Sequence, residues 1–204
     1  MPGPVVERGD RLALRTVERD DAAFMQRSTT DPRIRWSLGS VHHDSRAEER
    51  EGIEQWLESD GVVAFVACAV DDGETADAAS GRTASDDAPP GNPDEGETTP
   101  VGSVSARHVD GDRPWLAYWL LPEYHGEGYG KEMVELAVDH VFRSHAVHGV
   151  SAGAYDFNEA SRGLLESLGF TEEARRREAR YIDGEYVDEC QYGVLRDEWT
   201  AGRD

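Results

Sequence analysis

Short apolar runs alternate with polar, turn-forming stretches along the chain, and the apolar runs predict the strands of a sheet. Arg11–Arg15 alternates polar and apolar residues, which is typical of a strand with one buried face. Val62–Val70 is apolar throughout and predicts a strand buried on both faces. The same patterns predict five further strands, at 101–108, 115–121, 149–155, about 170–181 and 185–195. The last two flank an Asp183-Gly184 turn, which predicts a hairpin.

Apolar residues at helical spacing predict helices between these strands. Residues 18–21 carry helix-start chemistry ahead of a helix that opens at Ala22 and is ended by the Thr-Thr-Asp-Pro sequence at 29–32. Three further helices are predicted at 46–59, 131–144 and 158–168, the last closed by Gly169. The order of elements predicts one α/β domain over residues 1–204, with a mixed, mostly antiparallel central sheet flanked by helices.

Residues 71–100 interrupt this pattern. The segment holds nine acids, one arginine and no apolar residue larger than alanine. Such a composition cannot bury enough apolar surface to offset the entropy of ordering. The sequence therefore predicts an acidic, disordered loop inserted between two paired strands, rather than a linker between domains.

The charge balance excludes several classes of partner. The chain carries 42 acids and 21 basic residues, of which Lys131 is the single lysine, and its net charge is −21. Nucleic acid and anionic membranes both need a basic surface, so neither is expected as a partner. No apolar run approaches the ~18 residues of a membrane span, and the N-terminus lacks a secretory signal pattern. With two cysteines in strand-like runs, the sequence predicts a reduced, cytoplasmic protein. Both a monomer and a homodimer are compatible with the sequence.

The acid excess extends over the whole chain, because 33 acids still face 20 basic residues outside the insert. A cationic ligand, a disordered acidic segment and an acidic composition shared by the host's proteins could each explain it. We favour the third, since dispersed carboxylates with almost no lysine resemble the proteins of extremely halophilic cells. There, abundant cations screen the mutual repulsion of the carboxylates.

A glycine-rich sequence joins the strand at 115–121 to the helix at 131–144. It reads His125, Gly126, Glu127, Gly128, Tyr129, Gly130. Backbone N–H groups converge at a helix N-terminus and favour anions, phosphate above all, and glycine lets a ligand approach the main chain. A P-loop would need a glycine at position 125, and a dinucleotide fingerprint would need one at position 131. A tight strand-to-helix turn is the alternative.

These motifs together resemble the GCN5-related N-acetyltransferase (GNAT) family. The 120–132 segment resembles the family's acetyl-CoA pyrophosphate loop, Gln/Arg-x-x-Gly-x-Gly/Ala, which places its pattern residues at His125, Gly128 and Gly130. Asn158 and Ser161, followed by Gly169-Phe170, resemble a second family element. The resemblance spans nearly the whole chain except the insert. It is strongest to the branch that acetylates the N-terminal α-amines of ribosomal proteins.

The resemblance implies roles for individual residues. Backbone groups near Leu120 would contact the pantetheine and the acetyl carbonyl, the 125–130 loop would bind the pyrophosphate, and Asn158 would hold the pantetheine arm. Ser161 is the best hydroxyl for protonating the departing thiolate, or else it caps its helix. Two departures stand out: His125 replaces Gln or Arg, and Leu165 replaces a tyrosine that acts as general acid in many members.

The general base is predicted from strand periodicity. Tyr186, Asp188, Cys190 and Tyr192 share one face of the last strand, which would place Asp188 among apolar residues where burial raises a carboxyl pKa. An exposed edge-strand acid is the alternative reading of Asp188. Weaker candidates are Glu123 and Glu178, and a chain of water molecules needs no single base. The histidines at 140, 145 and 148 lack the spacing of a metal pair, so no metal site is expected.

The sequence thus predicts an acetyl-CoA-dependent N-acetyltransferase that acts on a primary amine, most plausibly a protein N-terminus. Acetylation of a small amine, such as a polyamine or an aminoglycoside, is the alternative within catalysis. A non-catalytic acyl-CoA-binding module is the alternative outside it, suggested by the replacements at His125 and Leu165.

Overall fold

The computed structural model describes residues 2–70 and 98–201, so the predicted disorder of the insert lies almost entirely outside the described residues. One eight-stranded sheet forms the centre of the fold, with the strand order β1-β2-β3-β4-β5-β6-β8-β7. The strands are β1 (Val5–Arg8), β2 (Leu12–Thr16), β3 (Val62–Ala69), β4 (Thr99–Arg107), β5 (Trp115–Leu120), β6 (Gly149–Tyr155), β7 (Thr171–Ile182) and β8 (Glu185–Leu195).

The helices cover both faces of this sheet. They are α1 (Ala22–Met25), α2 (Arg27–Thr30), α3 (Pro32–Arg35), α4 (Arg46–Leu57), α5 (Tyr129–Ser144), α6 (Glu159–Ser167) and α7 (Arg196–Ala201). One apolar core packs residues of α5, α6 and α7 against the sheet, and we call this side the α5 face. A second core packs residues of α1, α3 and α4 against the other side, the α4 face. The predicted mixed sheet flanked by helices is therefore confirmed.

Strand pairing is antiparallel throughout the described sheet except between β5 and β6, which run parallel. That parallel pair is short, because its register joins only Trp115 to Ser151 and Leu116 to Ala152. Beyond these residues the two strands diverge towards their carboxyl ends. A cleft therefore opens in the middle of the sheet, where a continuous ladder would otherwise continue.

Two elements were not predicted, and one strand begins earlier than predicted. β1 was not predicted, because its four residues hold only two valines and no alternation. α7 was likewise missed; its buried Trp199 packs against Phe142 of α5. β4 begins at Thr99, two residues inside the predicted insert, where Thr99 and Pro100 pair with β3.

Both cysteines are buried and unpaired, as the sequence predicts. Burial raises the pKa of the Cys68 thiol to about 11, so this thiol is inert at neutral pH. In the described ranges, no helix is both long enough and apolar enough to cross a bilayer.

Candidate active site

A cavity of about 460 Å³ occupies the cleft between β5 and β6. Residues of α6 line it on the α5 face, and residues 33, 34, 37 and 38 in and after α3 line it on the α4 face. The cavity therefore passes through the sheet and opens towards both sides. Two reactants can meet in such a passage from opposite faces, with their reacting atoms held together between the strands.

The glycine loop lies at the α5-face end of this cavity. Gly126 and Gly128 have φ of 79° and 87°, the left-handed region that glycine adopts without steric cost. Gly128 is the N-cap of α5, and the first intrahelical bond runs from Glu132 N–H to Gly128 C=O at 3.2 Å. The amides of the first three helical residues therefore have no partner within α5 and point outward as anion donors.

Each glycine of the loop leaves space for a different neighbour where a side chain would otherwise lie. A Cβ on Gly126 would meet no protein atom within 4 Å, so its exposed side is open to a ligand. A Cβ on Gly128 would lie 3.0 Å from a guanidinium nitrogen of Arg11. A Cβ on Gly130 would lie 3.0 Å from Leu164, so this glycine lets α6 pack closely against the start of α5. Gly126 is therefore the best-supported point of ligand approach.

Arg11 supports the loop from the first turn of the sheet. Its Nη1 donates to the carbonyl of Glu127 at 2.8 Å, and its guanidinium lies 4.7 Å from the centre of the Tyr129 ring. Glu132 accepts hydrogen bonds from the backbone amides of Arg11 and Leu12, at 2.8 and 3.0 Å. Neither Glu127 nor Tyr129 is among the residues that line the cavity.

His125 contacts a second predicted ligand-binding group. Its Nε2 lies 3.0 Å from the carbonyl oxygen of Leu120, at the end of β5. When Nε2 donates this hydrogen bond, a neutral ring has only an acceptor left at Nδ1, and the doubly protonated ring alone donates to a phosphate as well. His125 therefore positions the end of β5 in addition to bordering the loop.

A pair of hydroxyl groups faces the cavity opposite the loop. Ser161 Oγ and Tyr118 Oη lie 2.7 Å apart, joining α6 to β5 across the cleft. The cap of α6 is Asn158, whose Oδ1 accepts from the Ser161 amide at 3.1 Å, so the Ser161 hydroxyl does not serve as the cap. The Asn158 side-chain amide keeps its two N–H donors for a ligand in the cavity that it lines.

Tyr118 combines apolar packing with a polar contact. Its ring packs against the α5-face core, while its hydroxyl reaches Ser161. Burial raises the pKa of Tyr118 to about 12, so the phenol stays protonated and can either donate to Ser161 or accept from it. No spacing signal links positions 118 and 161, since their contact depends on how α6 packs against β5.

Leu165 is fully buried in the α5-face core. Ser161 and Leu164 line the cavity, whereas position 165 points away from it. The family resemblance places a tyrosine at this position. A side chain at position 165 could reach the cavity only if α6 moved. The Ser161–Tyr118 pair therefore supplies two hydroxyl groups to the α6 side of this cavity.

The structure does not bring Asp188 into the cavity. Asp188 accepts a hydrogen bond from the Glu178 amide at 2.9 Å and lies 3.7 Å from Arg175. Glu178 has a φ of 49° and lies in an irregular stretch of β7, between Arg176 and Arg180, where the pairing register shifts. Asp188 thus satisfies a backbone group that the irregular stretch removes from the ladder, which is a structural role.

Glu189, which sequence reasoning did not select, lines the cavity instead. It pairs with Tyr155 in the β6–β8 register, on the face opposite Cys190 and Tyr192. Those two residues belong to the α5-face core, so Glu189 faces the α4 side. The period-two pattern correctly placed Asp188 on the same face of β8 as Cys190 and Tyr192. Glu189 lies on the other face, which is the one that borders the cavity on the α4 side.

Comparison with known proteins agrees with this geometry. A family model for the acetyltransferase (GNAT) domain matches residues 11–171. The SPbeta prophage-derived N-acetyltransferase YokL of Bacillus subtilis is 26% identical over 194 residues, which cover 94% of this chain and 93% of YokL. The ribosomal protein uS5-alanine N-acetyltransferase of Escherichia coli is 29% identical over 89 residues, 44% of this chain and 46% of that enzyme.

Solved structures share the whole fold at low sequence identity. The spermidine N-acetyltransferase of Vibrio cholerae, in complex with CoA and spermine, superposes with a TM-score of 0.77 and 18% identity, over 94% of this chain and 99% of that one. RimL, a ribosomal L7/L12 α-N-protein acetyltransferase in complex with CoA, gives a TM-score of 0.73 and 15% identity, over 95% and 99%. With the family model matching most of its length, the chain belongs to the GNAT acetyltransferase family and is an N-acetyltransferase with acetyl-CoA as co-substrate.

Proposed function

We propose that this protein acetylates a single α-amine, as at a protein N-terminus, with its two substrates bound on opposite faces of the sheet. The observation that carries this proposal is the cavity that passes through the cleft between β5 and β6. The phosphate-binding loop and the hydroxyl pair open on the α5 face, and Glu189 and α3 open on the α4 face.

The α5-face half of the cavity fits the co-substrate. The amides at the start of α5 and the open side of Gly126 suit a pyrophosphate, and the Asn158 amide suits the pantetheine arm. Leu120, at the end of β5, presents backbone groups beside them. Bound acetyl-CoA supplies an activated acyl carbonyl and a thiolate leaving group.

Ser161 stabilises the negative charge that develops on the leaving sulfur. When Tyr118 donates to Ser161 Oγ, the serine O–H is left to point towards the cavity. Because the pKa of Tyr118 is raised to about 12, transfer of its own proton through Ser161 to a thiolate would be uphill. The pair therefore acts by hydrogen bonding, and the proton that the sulfur finally carries comes from the acceptor nitrogen.

Charge at the α4-face end favours an acceptor with one amine over a polyamine. Glu189 is the only carboxylate among the described residues that line the cavity, and Arg176 already pairs with it at 2.9 Å. Arg33 lines the same end. A polycation would need several carboxylates there, since each unpaired ammonium group is costly to desolvate.

Release of the CoA thiol, measured with an amine panel, tests the proposal. The panel contains a peptide with a free α-amine, the same peptide with a blocked N-terminus, and spermidine. We expect thiol release with the free peptide and at least tenfold less with each of the others. Equal or faster release with spermidine would favour a polyamine acetyltransferase and overturn the assignment of the acceptor.

A further inference from the structure

We infer that Glu189 is the residue that removes the proton from the acceptor amine, and that Arg176 positions it. This inference rests on the proposed function and assigns a catalytic residue to the same cavity. Glu189 lines the cavity on the α4 face, with its side chain 19% exposed. A group there meets an acceptor before it reaches the acyl carbonyl between the strands.

One oxygen of Glu189 is held and the other is left for substrate. Arg176 Nη1 donates to Oε2 at 2.9 Å, which fixes the carboxylate across neighbouring strands. Among the described residues, Oε1 has no hydrogen-bond partner, and it lies 3.5 Å from the point where a Cβ on Gly153 would be. A carboxylate with one fixed oxygen and one free oxygen is preorganised to accept a proton from a donor in the cavity.

Gly153 keeps the space in front of that free oxygen. A Cβ at position 153 would lie 2.7 Å from the Trp115 ring, well inside van der Waals contact. Gly153 and Trp115 both line the cavity beside Glu189, one on each strand of the cleft. A side chain at this position would displace the indole and block the approach of an amine to Oε1.

The charged groups around Glu189 favour loss of a proton from the acceptor. Arg176 on β7 contacts Glu189 and Arg180 on β7 hydrogen-bonds to Tyr155 on β6. Arg33, which pairs with Asp31 at 2.7 Å, lines the α4-face end. Cationic neighbours disfavour a second cation, so they lower the pKa of a bound ammonium group. A bound ammonium group then gives up its proton to Glu189 more readily.

The proton balance of the reaction is complete with this assignment. An acceptor ammonium loses two protons in all: one passes to Glu189 and then to solvent, and the other ends on the thiol sulfur. The nitrogen lone pair forms the new C–N bond to the acyl carbon. The C–S bond breaks with its electron pair on sulfur, beside Ser161.

The test measures kcat/KM for a free α-amine peptide at about pH 7 and about pH 9.5 in wild type and in Glu189→Gln. An α-amine has an ordinary pKa of ~7.7–8.0, so at the higher pH it is already neutral and needs no base. We expect Glu189→Gln to lose at least ~30-fold at pH 7 and less than ~5-fold at pH 9.5. Acetyl-CoA affinity, measured by calorimetry, should be unchanged.

Two further variants keep this result interpretable. Glu189→Asp keeps the carboxylate but shortens its reach, so it should show a smaller loss with the same pH dependence. Glu173→Gln is the matched control, because Glu173 is also a β7–β8 hairpin acid paired with an arginine, Arg113, at 2.8 Å, and it lies outside the cavity. It should stay within ~2-fold of wild type at both pH values.

Three outcomes would overturn the inference. A deficit of the same size at both pH values would show that Glu189 acts through structure, and no deficit at pH 7 would show that the proton leaves by another route. In both cases wild-type activity would leave the proposed function intact. Absence of thiol release by the wild type with every amine would overturn the proposed function and this inference together.

Discussion

In the proposed mechanism, the Ser161–Tyr118 pair is a catalytic group assembled from two residues with no pattern in common. Tyr118 comes from β5 and Ser161 from the first turn of α6, and their oxygens lie 2.7 Å apart. The tyrosine hydroxyl stays protonated over the working pH range because burial raises its pKa to about 12. Its contribution is therefore to hold the serine, and both residues act on one developing charge.

Ser161→Ala should leave acetyl-CoA affinity nearly intact and lower kcat by ~10- to 100-fold, because stabilisation of the leaving sulfur acts in the transition state. Tyr118→Phe should lower kcat by less than Ser161→Ala does. The double variant should be no slower than Ser161→Ala alone, since the tyrosine works through the serine. Steady-state kinetics and calorimetry measure these effects. Additive losses in the double variant would contradict a joint role.

The glycine loop gives a second prediction at this scale. Gly128→Val should raise the acetyl-CoA dissociation constant at least tenfold, ~1.4 kcal/mol, since a branched residue at a φ of 87° distorts the amides at the start of α5. His125→Gln should bind at least as well as wild type, because a glutamine amide has two N–H donors to share between Leu120 and a phosphate. Calorimetry measures the acetyl-CoA dissociation constants of both variants. Normal binding by Gly128→Val would show that the loop is only a structural turn.

Sequence patterns pointed to the loop, Asn158 and Ser161 because the roles proposed for them depend on local features: glycines at a strand end and the first turn of a helix. Tyr118 and Glu189 could not be found in the same way. Each acts across strands that are distant in the chain, and their roles depend on a cleft that no residue spacing encodes. The alternation of side chains along β8 could have suggested Glu189 if the face of the sheet that binds the acceptor had been known.

At the scale of elements, the carboxylate of Glu7 links the short strand β1 to helix α5. Glu7 accepts from His140 Nδ1 at 2.7 Å and pairs with Arg143 at 2.6 Å, both on α5. Burial alone would raise the pKa of Glu7, but the hydrogen bonds from His140 and Arg143 outweigh it and leave the pKa below the ordinary 4.5. The charged form therefore stabilises the fold.

Glu7→Gln should lower the free energy of unfolding by ~1–2 kcal/mol at pH 7. A lowered folded pKa means that this stabilisation is present above about pH 4.5 and is lost as the pH falls through the folded value. The gap in unfolding free energy between variant and wild type, measured by urea denaturation, should therefore narrow as the pH falls below about 4.5. Glu51→Gln, at an exposed position on α4, is the control and should stay within ~0.5 kcal/mol. A constant gap would contradict the ion-pair explanation.

The longer elements followed from the sequence to within two residues at most boundaries, because their apolar periods are regular. Helix 131–144 was predicted and α5 spans Tyr129–Ser144; strand 185–195 was predicted and β8 has the same bounds. β1 and α7 escaped prediction, since a four-residue strand and a six-residue helix hold too few apolar positions to show a period. Long-range contacts, such as Glu7 with α5, define them.

At the scale of the molecule, a net charge of −21 repels itself, and salt should stabilise the fold. The Debye length shrinks from ~10 Å at about 0.1 M to ~3 Å at about 1 M, which screens carboxylates that are not in contact. The melting temperature should therefore rise steadily with KCl, and a neutral osmolyte should not reproduce the curve at low concentration. A melting temperature that falls into multimolar KCl would contradict the prediction of adaptation to high salt.

The brief pairing of β5 with β6 divides the sheet into two blocks, β1–β5 and β6–β8, joined edge to edge by two register pairs. The glycine loop follows the first block along the chain, and Asn158 and Ser161 follow the second. A ligand that touches both sets of groups therefore ties the blocks together, and by linkage it stabilises the folded state in proportion to its occupancy. Resistance to proteases should consequently follow the supply of acetyl-CoA, so that the lifetime of the enzyme depends on the metabolite that it consumes.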